Sequence, residues 1–510
     1  MLPGPASAEL PAPYASLYTS TAAIFAEFAS LASRHPSLLS WTPPGAAQGE
    51  GGDDSLGVAT FAWRGDNATD EPTAPPLEAR PVLLLVFGEH AREIITSETA
   101  LWLARALVGE AAALEAWPAG VAAAARTAGV LPQVGGTTQD ALPPAAPLSA
   151  WSAWLLRRAT IVMVPVEVPA GREAVMKGGE LCRRKTVGAE VDLNRNWGAA
   201  WRAAPHRGAD EFGGAAPFSE PASKSLRSLA ERLASSPPGL AAYANSHSGE
   251  WAMYVPWDHK ASWAAGLGSD TVPLLEALNV HCGCTRGPGG AASSYLAFGT
   301  SMDWMWQQLG VRYSLTFELY GTNKEGKRPA DWVLPPTPTE PFEPVADTAP
   351  RGRRRALASF IPLLFRSRRA ALADAQPQPQ PHAPATQAGL QCLSMFNPSD
   401  EGALRDVLAS WVHTFLLLTT HVIAHTPPQP GPSVSGLARV WGRKGELVST
   451  SARRGGGGGG GGGPDVAAWL AGVALLGIGV AAMRAANKPA RPPARVIRGV
   501  NVTRGGLFAV

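Results

Sequence analysis

The chain has 510 residues and 45% of them are apolar, so it can bury at least one large core. Charged residues make up only 17%, while Gly and Pro number 55 and 47, which points to a folded domain interrupted by low-complexity inserts. A net charge of +3 excludes a protein that relies on a basic face to bind nucleic acid, and with only 10 histidines any motif containing one carries weight.

Residues 1–13 lack the basic start and apolar run of a signal peptide and read as an N-terminal extension, so either the true start lies upstream or export uses another route. Residues 14–41 read as a helix and its exit, with Ile24, Phe25, Phe28 and Leu31 at helical spacing. The run PVLLLVFG at 81–88 predicts a strand buried on both faces, and a helix over 96–108 follows. An Ala/Gly/Pro-rich surface insert is expected near 109–147, then a strand over 159–166. Ser219 is an N-cap candidate for a helix to residue 234, with Pro221 in its first turn. Strands are predicted over 240–246 and 311–319, with a helix from Thr300 to Leu309 between them. Alternating strands and helices indicate an α/β sheet covered on both faces.

Residues 324–389, with QPQPQP and two arginine clusters, read as a disordered, solvated insertion. Order resumes at Gln391, and a long helix over 400–425 is capped by Ser399 or Asp400. Residues 426–464 form a Gly/Pro-rich linker that includes nine consecutive glycines, 455–463. Residues 466–483 carry no charge over 18 positions, so a transmembrane helix is expected over 465–483. The basic tail 484–510 then lies in the cytosol and the main domain on the lumenal or extracellular side, reached through the secretory pathway. On that side Asn67-Ala68-Thr69 is an acceptable glycosylation site. Of the four cysteines, Cys282 and Cys284 are too close for an easy mutual bridge, so each is expected to pair with Cys182 or Cys392.

The chemistry starts where the first buried strand ends. His90 and Glu93 are spaced HxxE, and a strand-to-helix turn can aim both at one ion. Zinc accepts such N and O donors, and a catalytic site takes three protein ligands with one position left open. His247, at the end of another predicted strand, can supply the third.

Further motifs follow in order: LCRRK around Arg184, DLNRNW with Asn194 and Arg195, PFSEP at 217–221, YLAFGTSMDW from Tyr295 through Met302, TFEL with Glu318, and MFNP at 395–398. The set resembles the zinc metallocarboxypeptidases of the carboxypeptidase A family, most closely a plant-type branch. The resemblance covers about residues 14–318 and resumes at 392, so the domain is read as 14–425 with its two insertions. It implies a mixed, mostly parallel sheet of about eight strands with helices on both faces and the active site at the strands' carboxyl ends. It implies one zinc ion on His90, Glu93 and His247, Glu318 as general base, and Arg184 stabilising the oxyanion, with Arg183 as competitor. Asn194 and Arg195 would grip the terminal carboxylate of a peptide or protein, Tyr295 would close over it, and Arg92 would contact the chain further back. Asp192 could orient a zinc histidine, whereas Glu89 and Glu98 read as solvated or structural. Met302 would floor the side-chain pocket and favour an apolar terminal residue. The alternatives are a zinc amidase or deacylase of the wider superfamily, and a non-catalytic peptide-binding membrane protein.

Overall fold

The computed structural model describes residues 10–46, 56–65, 75–111, 147–279, 282–293, 295–322 and 386–426. The expected inserts near 109–147 and 324–389, the linker, the apolar segment 465–483, the basic tail and the Asn67 site lie wholly or almost wholly outside them.

Eight strands form one sheet: β1 (Leu39–Thr42), β2 (Val58–Phe61), β3 (Val82–Phe87), β4 (Thr160–Val164), β5 (Leu240–His247), β6 (Ala252–Val255), β7 (Thr285–Pro288) and β8 (Tyr313–Glu318). Their spatial order is β1-β2-β4-β3-β5-β8-β6-β7. The centre, β4-β3-β5-β8, is parallel, while β1, β2 and the β6–β8 pairing are antiparallel. The sheet is therefore mixed and mostly parallel at its core, as the motif order implied.

The sequence VLLLVF of β3 explains why it lies at the centre. All six residues are buried. Successive side chains point to opposite faces, so Leu83, Leu85 and Phe87 enter one apolar cluster and Leu84 and Val86 another. The first cluster holds helices α3 (Ile94–Leu107) and α11 (Glu401–His425) against the sheet. The second holds α6 (Pro221–Ser235) and α9 (Ser301–Leu309). The remaining helices are α1 (Tyr14–Leu17), α2 (Thr21–Arg34), α4 (Leu148–Leu156), α5 (Pro169–Met176), α7 (Thr271–Asn279), α8 (Gly289–Ala292) and α10 (Gln387–Phe396).

Helix α11 is apolar enough to cross a membrane, but its most apolar window is 78% buried inside the fold. Phe415 meets Phe87 and Phe317 edge-on, and the Trp411 indole donates to the Leu319 carbonyl at 2.8 Å. It is a core helix, apolar on nearly every side because protein surrounds it.

Several expectations need correction. Residues 14–41 hold two helices and end in a strand. The helix expected to be capped by Ser219 has Glu220 at its N-cap position with no side-chain cap, and the Ser219 hydroxyl instead accepts from the Asn196 amide at 2.9 Å. Order resumes at α10, where the Thr386 side chain accepts from Gly389 N–H, rather than at Gln391. The long helix over 400–425 starts where expected, with the Asp400 carboxylate accepting from Ala403 N–H at 2.8 Å. The cysteines pair as Cys182–Cys392 and Cys282–Cys284. The second pairing overturns the expected one. Gly283 between them sits at φ +55°, a left-handed turn that brings two near neighbours together.

Candidate metal centre

Strand β3 ends at Gly88, whose φ of +69° turns the chain sharply; a Cβ there would lie 2.8 Å from the Ser97 hydroxyl. The turn presents Glu89 and His90 beyond the strand, and Glu93 stands at the N-cap of α3. On the neighbouring strand β5, His247 is the last residue. The β5–β8 register then sets Glu318 directly opposite His247. Residues from three segments far apart in sequence thus reach the carboxyl edge of one sheet.

Their side chains converge. His90 Nδ1 is 2.9 Å from Glu93 Oε1 and 3.1 Å from His247 Nδ1, and His247 Nδ1 is 3.1 Å from Glu93 Oε2. The opposite ring nitrogens are engaged elsewhere: His90 Nε2 with Asp192 at 3.0 Å, His247 Nε2 with Glu89 at 3.0 Å. Carboxylates accept hydrogens, so each Nε2 carries one and each Nδ1 turns its lone pair towards the other and towards Glu93. Burial works against the charged form, but hydrogen bonds and charge from Glu89 and Glu93 outweigh it and hold His247 well above its usual pKa. His90 and His247 likewise outweigh burial and hold Glu93 well below the usual carboxylate range. A divalent ion satisfies all three donors at once, since ligands of a tetrahedral zinc lie about 3.3 Å apart. Glu89 also clusters with the two histidines. It sits on the outer nitrogen of His247, so Glu93 completes the inward-facing set.

The other anticipated residues surround this centre. Arg184 donates from Nε to Asp192 at 2.8 Å, and its Nη1 lies 3.1 Å from His90 Nδ1. Arg183 turns away to Glu180 and Glu190, so only Arg184 faces the cluster. Asp192, buried between Arg184, His90 and Arg195, stays well below the usual carboxylate range. The Asn194 amide approaches His247 Nε2 at 3.3 Å, and its carbonyl accepts from Ser301 N–H at 3.0 Å. Arg195 donates to its neighbour's carbonyl at 2.7 Å and reaches the Tyr295 hydroxyl at 3.4 Å. Tyr295 itself is 48% exposed. Met302 packs with Ala252 and Tyr254. Arg92 lies over the Phe396 ring, 4.0 Å from its centre. Burial, with Glu93 and Glu250 adding to it against His247, pushes the Glu318 carboxyl up to about 8.

Known proteins bear on this arrangement. Residues 149–344 match the zinc carboxypeptidase family. The match identifies a stretch similar to the zinc carboxypeptidase domain within the chain. Carboxypeptidase B2 of Rattus norvegicus is 28% identical over 216 residues, 38% of this chain and 49% of that protein. Carboxypeptidase B of Homo sapiens is 35% identical over 148 residues, 27% of this chain and 33% of that protein. The chain thus spans about half or less of the length of these curated relatives. Among solved structures, carboxypeptidase A from Helicoverpa armigera aligns at 19% identity with a TM-score of 0.43, over 60% of this chain and 65% of that one. Zinc is the ion the family carries, and the donor set of two imidazoles and one carboxylate suits it.

Four residues of this zinc carboxypeptidase domain were not singled out for what they do. Glu89 is 1% exposed and ties His247 to Asn245, so the solvated reading does not hold. Glu98, also buried, accepts from the backbone and hydroxyl of Thr19. Asn397 is fully buried; its carbonyl accepts from Ile95 N–H at 3.0 Å and its amide donates to the Arg92 carbonyl at 2.8 Å. It fixes the turn that carries His90 and Glu93, and the MFNP motif was its only signal. Asp258 is buried beside Asp303, whose carboxylate accepts the Asp258 N–H at 2.9 Å. Burial and Asp303 push the Asp258 carboxyl up to about 7.

Proposed function

We propose that the protein is a metallocarboxypeptidase that hydrolyses the last peptide bond of peptides or proteins. The single observation that supports this reading most is the β5–β8 register, in which Glu318 is the partner of His247 at the edge of the His90–Glu93–His247 cluster. His90, Glu93 and His247 would hold the zinc. When bound, zinc would polarise the scissile carbonyl and acidify a water.

The chain's own groups do the rest. Glu318 takes a proton from the attacking water as its oxygen bonds to the carbonyl carbon. It returns that proton to the amine as the C–N bond breaks. Arg184, aimed into the site by Asp192, donates to the oxygen that gains charge. Arg195 and Asn194 bind the free carboxylate of the substrate, and the exposed Tyr295 folds over it with its hydroxyl donating. Arg92, flattened on Phe396, holds the chain upstream. The need for a terminal carboxylate favours an exopeptidase over an amidase, and the complete acid–base and donor set favours an enzyme over a binding protein.

The pocket supports two preferences. Met302 and its apolar neighbours favour an apolar or aromatic terminal residue. The Asp258 carboxyl, buried near that of Asp303, would favour a basic one if it faced the pocket, because a bound cation would stabilise its charged form. Relative kcat/KM on peptides ending in Phe or Arg separates the two. The apolar segment 465–483 would anchor the protein in a membrane with the domain on the lumenal or extracellular side. Carbonate extraction of membranes tests that part.

The deciding assay compares blocked peptides with free and amidated C-termini, before and after chelation. Cleavage only of the free acid, lost on chelation and restored by zinc, is the expected result. Equal cleavage of the amide ends the exopeptidase reading.

A further inference from the structure

At the opposite end of β8 from Glu318 lies a second group of ligand-type side chains. Asp270, just before α7, meets His421 and His425 in the last two turns of α11, with one ligand atom from each within 4.8 Å of the others. The two histidines are spaced i, i+4, so their rings share a helix face and stack with centres 3.9 Å apart. His421 Nε2 is 3.1 Å from Asp270 Oδ2. Five residue steps along a strand separate Tyr313 from Glu318, roughly 17 Å at ~3.3 Å each, so this group is distinct from the catalytic edge.

We propose that Asp270, His421 and His425 form a second metal site, for one divalent transition ion of the zinc class. Two imidazoles and a carboxylate are the donors such ions prefer. The His421 side chain is 2% exposed, yet its Nδ1 has no hydrogen-bond partner. A buried ring with one unsatisfied nitrogen is costly unless something strong engages the ring. The carboxylate is already oriented, because the Tyr313 hydroxyl donates to Oδ2. Bonds of this kind commonly steer a metal-bound carboxylate. The C-terminal turn of the 25-residue α11 adds the negative end of its dipole. Arg312 donates to Asp270 Oδ1 at 2.9 Å and to the His425 carbonyl at 3.3 Å, so its charge competes with a cation for the carboxylate. His425 has Nδ1 on the His421 carbonyl at 2.9 Å, which leaves Nε2 for the ion.

An ion here would clamp the end of α11 to the start of β8 and to α7, away from substrate. The test is calorimetric titration of the metal-free full chain with zinc, beside thermal melts. His425→Gln, at a partly exposed position, is expected to bind one ion fewer per chain, to lose the part of the zinc-induced rise in Tm that belongs to this site, and to keep peptidase activity. Arg312→Ala is the opposite-sign control: removing a competing cation is expected to tighten this ion's binding several-fold. Unchanged stoichiometry in His425→Gln, or unchanged affinity in Arg312→Ala, overturns the proposal.

Discussion

The two faces of β5 and β8 within the core, and the carboxyl edge of the same strands, are built on opposite rules. Towards α11 the strands present Phe317, Leu315 and Ala244, and the helix answers with Trp411 and Phe415. At the edge they present His247 and Glu318, with Glu89, Glu93 and Asp192 packed around them. The apolar face is held by burial, which is tolerant of detail. The edge carries buried charges that are stable only when each has its partner. Substitutions should therefore separate: core changes alter stability and leave the chemistry of folded molecules intact, whereas edge changes that keep size and hydrogen bonding alter the chemistry, and only those that strip a buried charge of its partner also cost stability.

The largest effect on this contrast is expected from Glu318→Gln. The side chain keeps its size and loses its proton-accepting charge, so kcat should fall about 10³-fold or more. Zinc content and Tm should stay near wild type, because Glu318 lies outside the inward-facing donor set. Loss of zinc together with activity would assign Glu318 to the metal instead. On the apolar side, Phe415→Ala removes contacts to Phe87 and Phe317 and should cost about 3–5 kcal/mol of stability. Denaturant titration reads that cost, and kcat per folded molecule should not move.

A smaller step is Asp192→Asn. Asp192 holds His90 Nε2 and Arg184 Nε together. Outer partners of this kind are worth about 10–100-fold in metal affinity. Competition with a chelator of known strength measures it. An unchanged affinity would make Asp192 a support for Arg184 alone.

Legibility in the sequence followed the same division. The β3 run and the strand at β5 were visible because continuous apolar residues leave few alternatives for a buried strand. HxxE, His247 and Glu318 were visible through motif order, but nothing local in the sequence says that His247 and Glu318 are register partners; only the strand pairing does. Asp258 was missed, and Glu89 was left between solvated and structural, because a lone carboxylate gives no sign of burial until the fold supplies it. Asn397 was missed in its role because it follows a long insertion and acts on a turn 302 residues away. The Cys282–Cys284 bridge was misjudged because a left-handed Gly283 is a property of the folded loop rather than of its spacing.

The finest test concerns how the edge sets its own acidity. Burial is the main reason that Glu318 is pushed up to about 8, and the charge of Glu250 adds to it. A neighbouring negative charge disfavours ionisation, so removing it favours the carboxylate. Glu250→Gln should therefore lower the Glu318 pKa. In its proposed role as base Glu318 works only when ionised, so the acid limb of the kcat/KM profile should move to lower pH, by less than about one unit, with the plateau unchanged. A bound zinc lowers the starting value but does not reverse the sign, because its charge acts on wild type and variant alike. Phe415→Ala should leave that limb in place. If the limb moved upward in Glu250→Gln, or moved equally in both variants, it would report something other than Glu318, and the separation between an apolar face that sets stability and a charged edge that sets chemistry would fail at its most sensitive point.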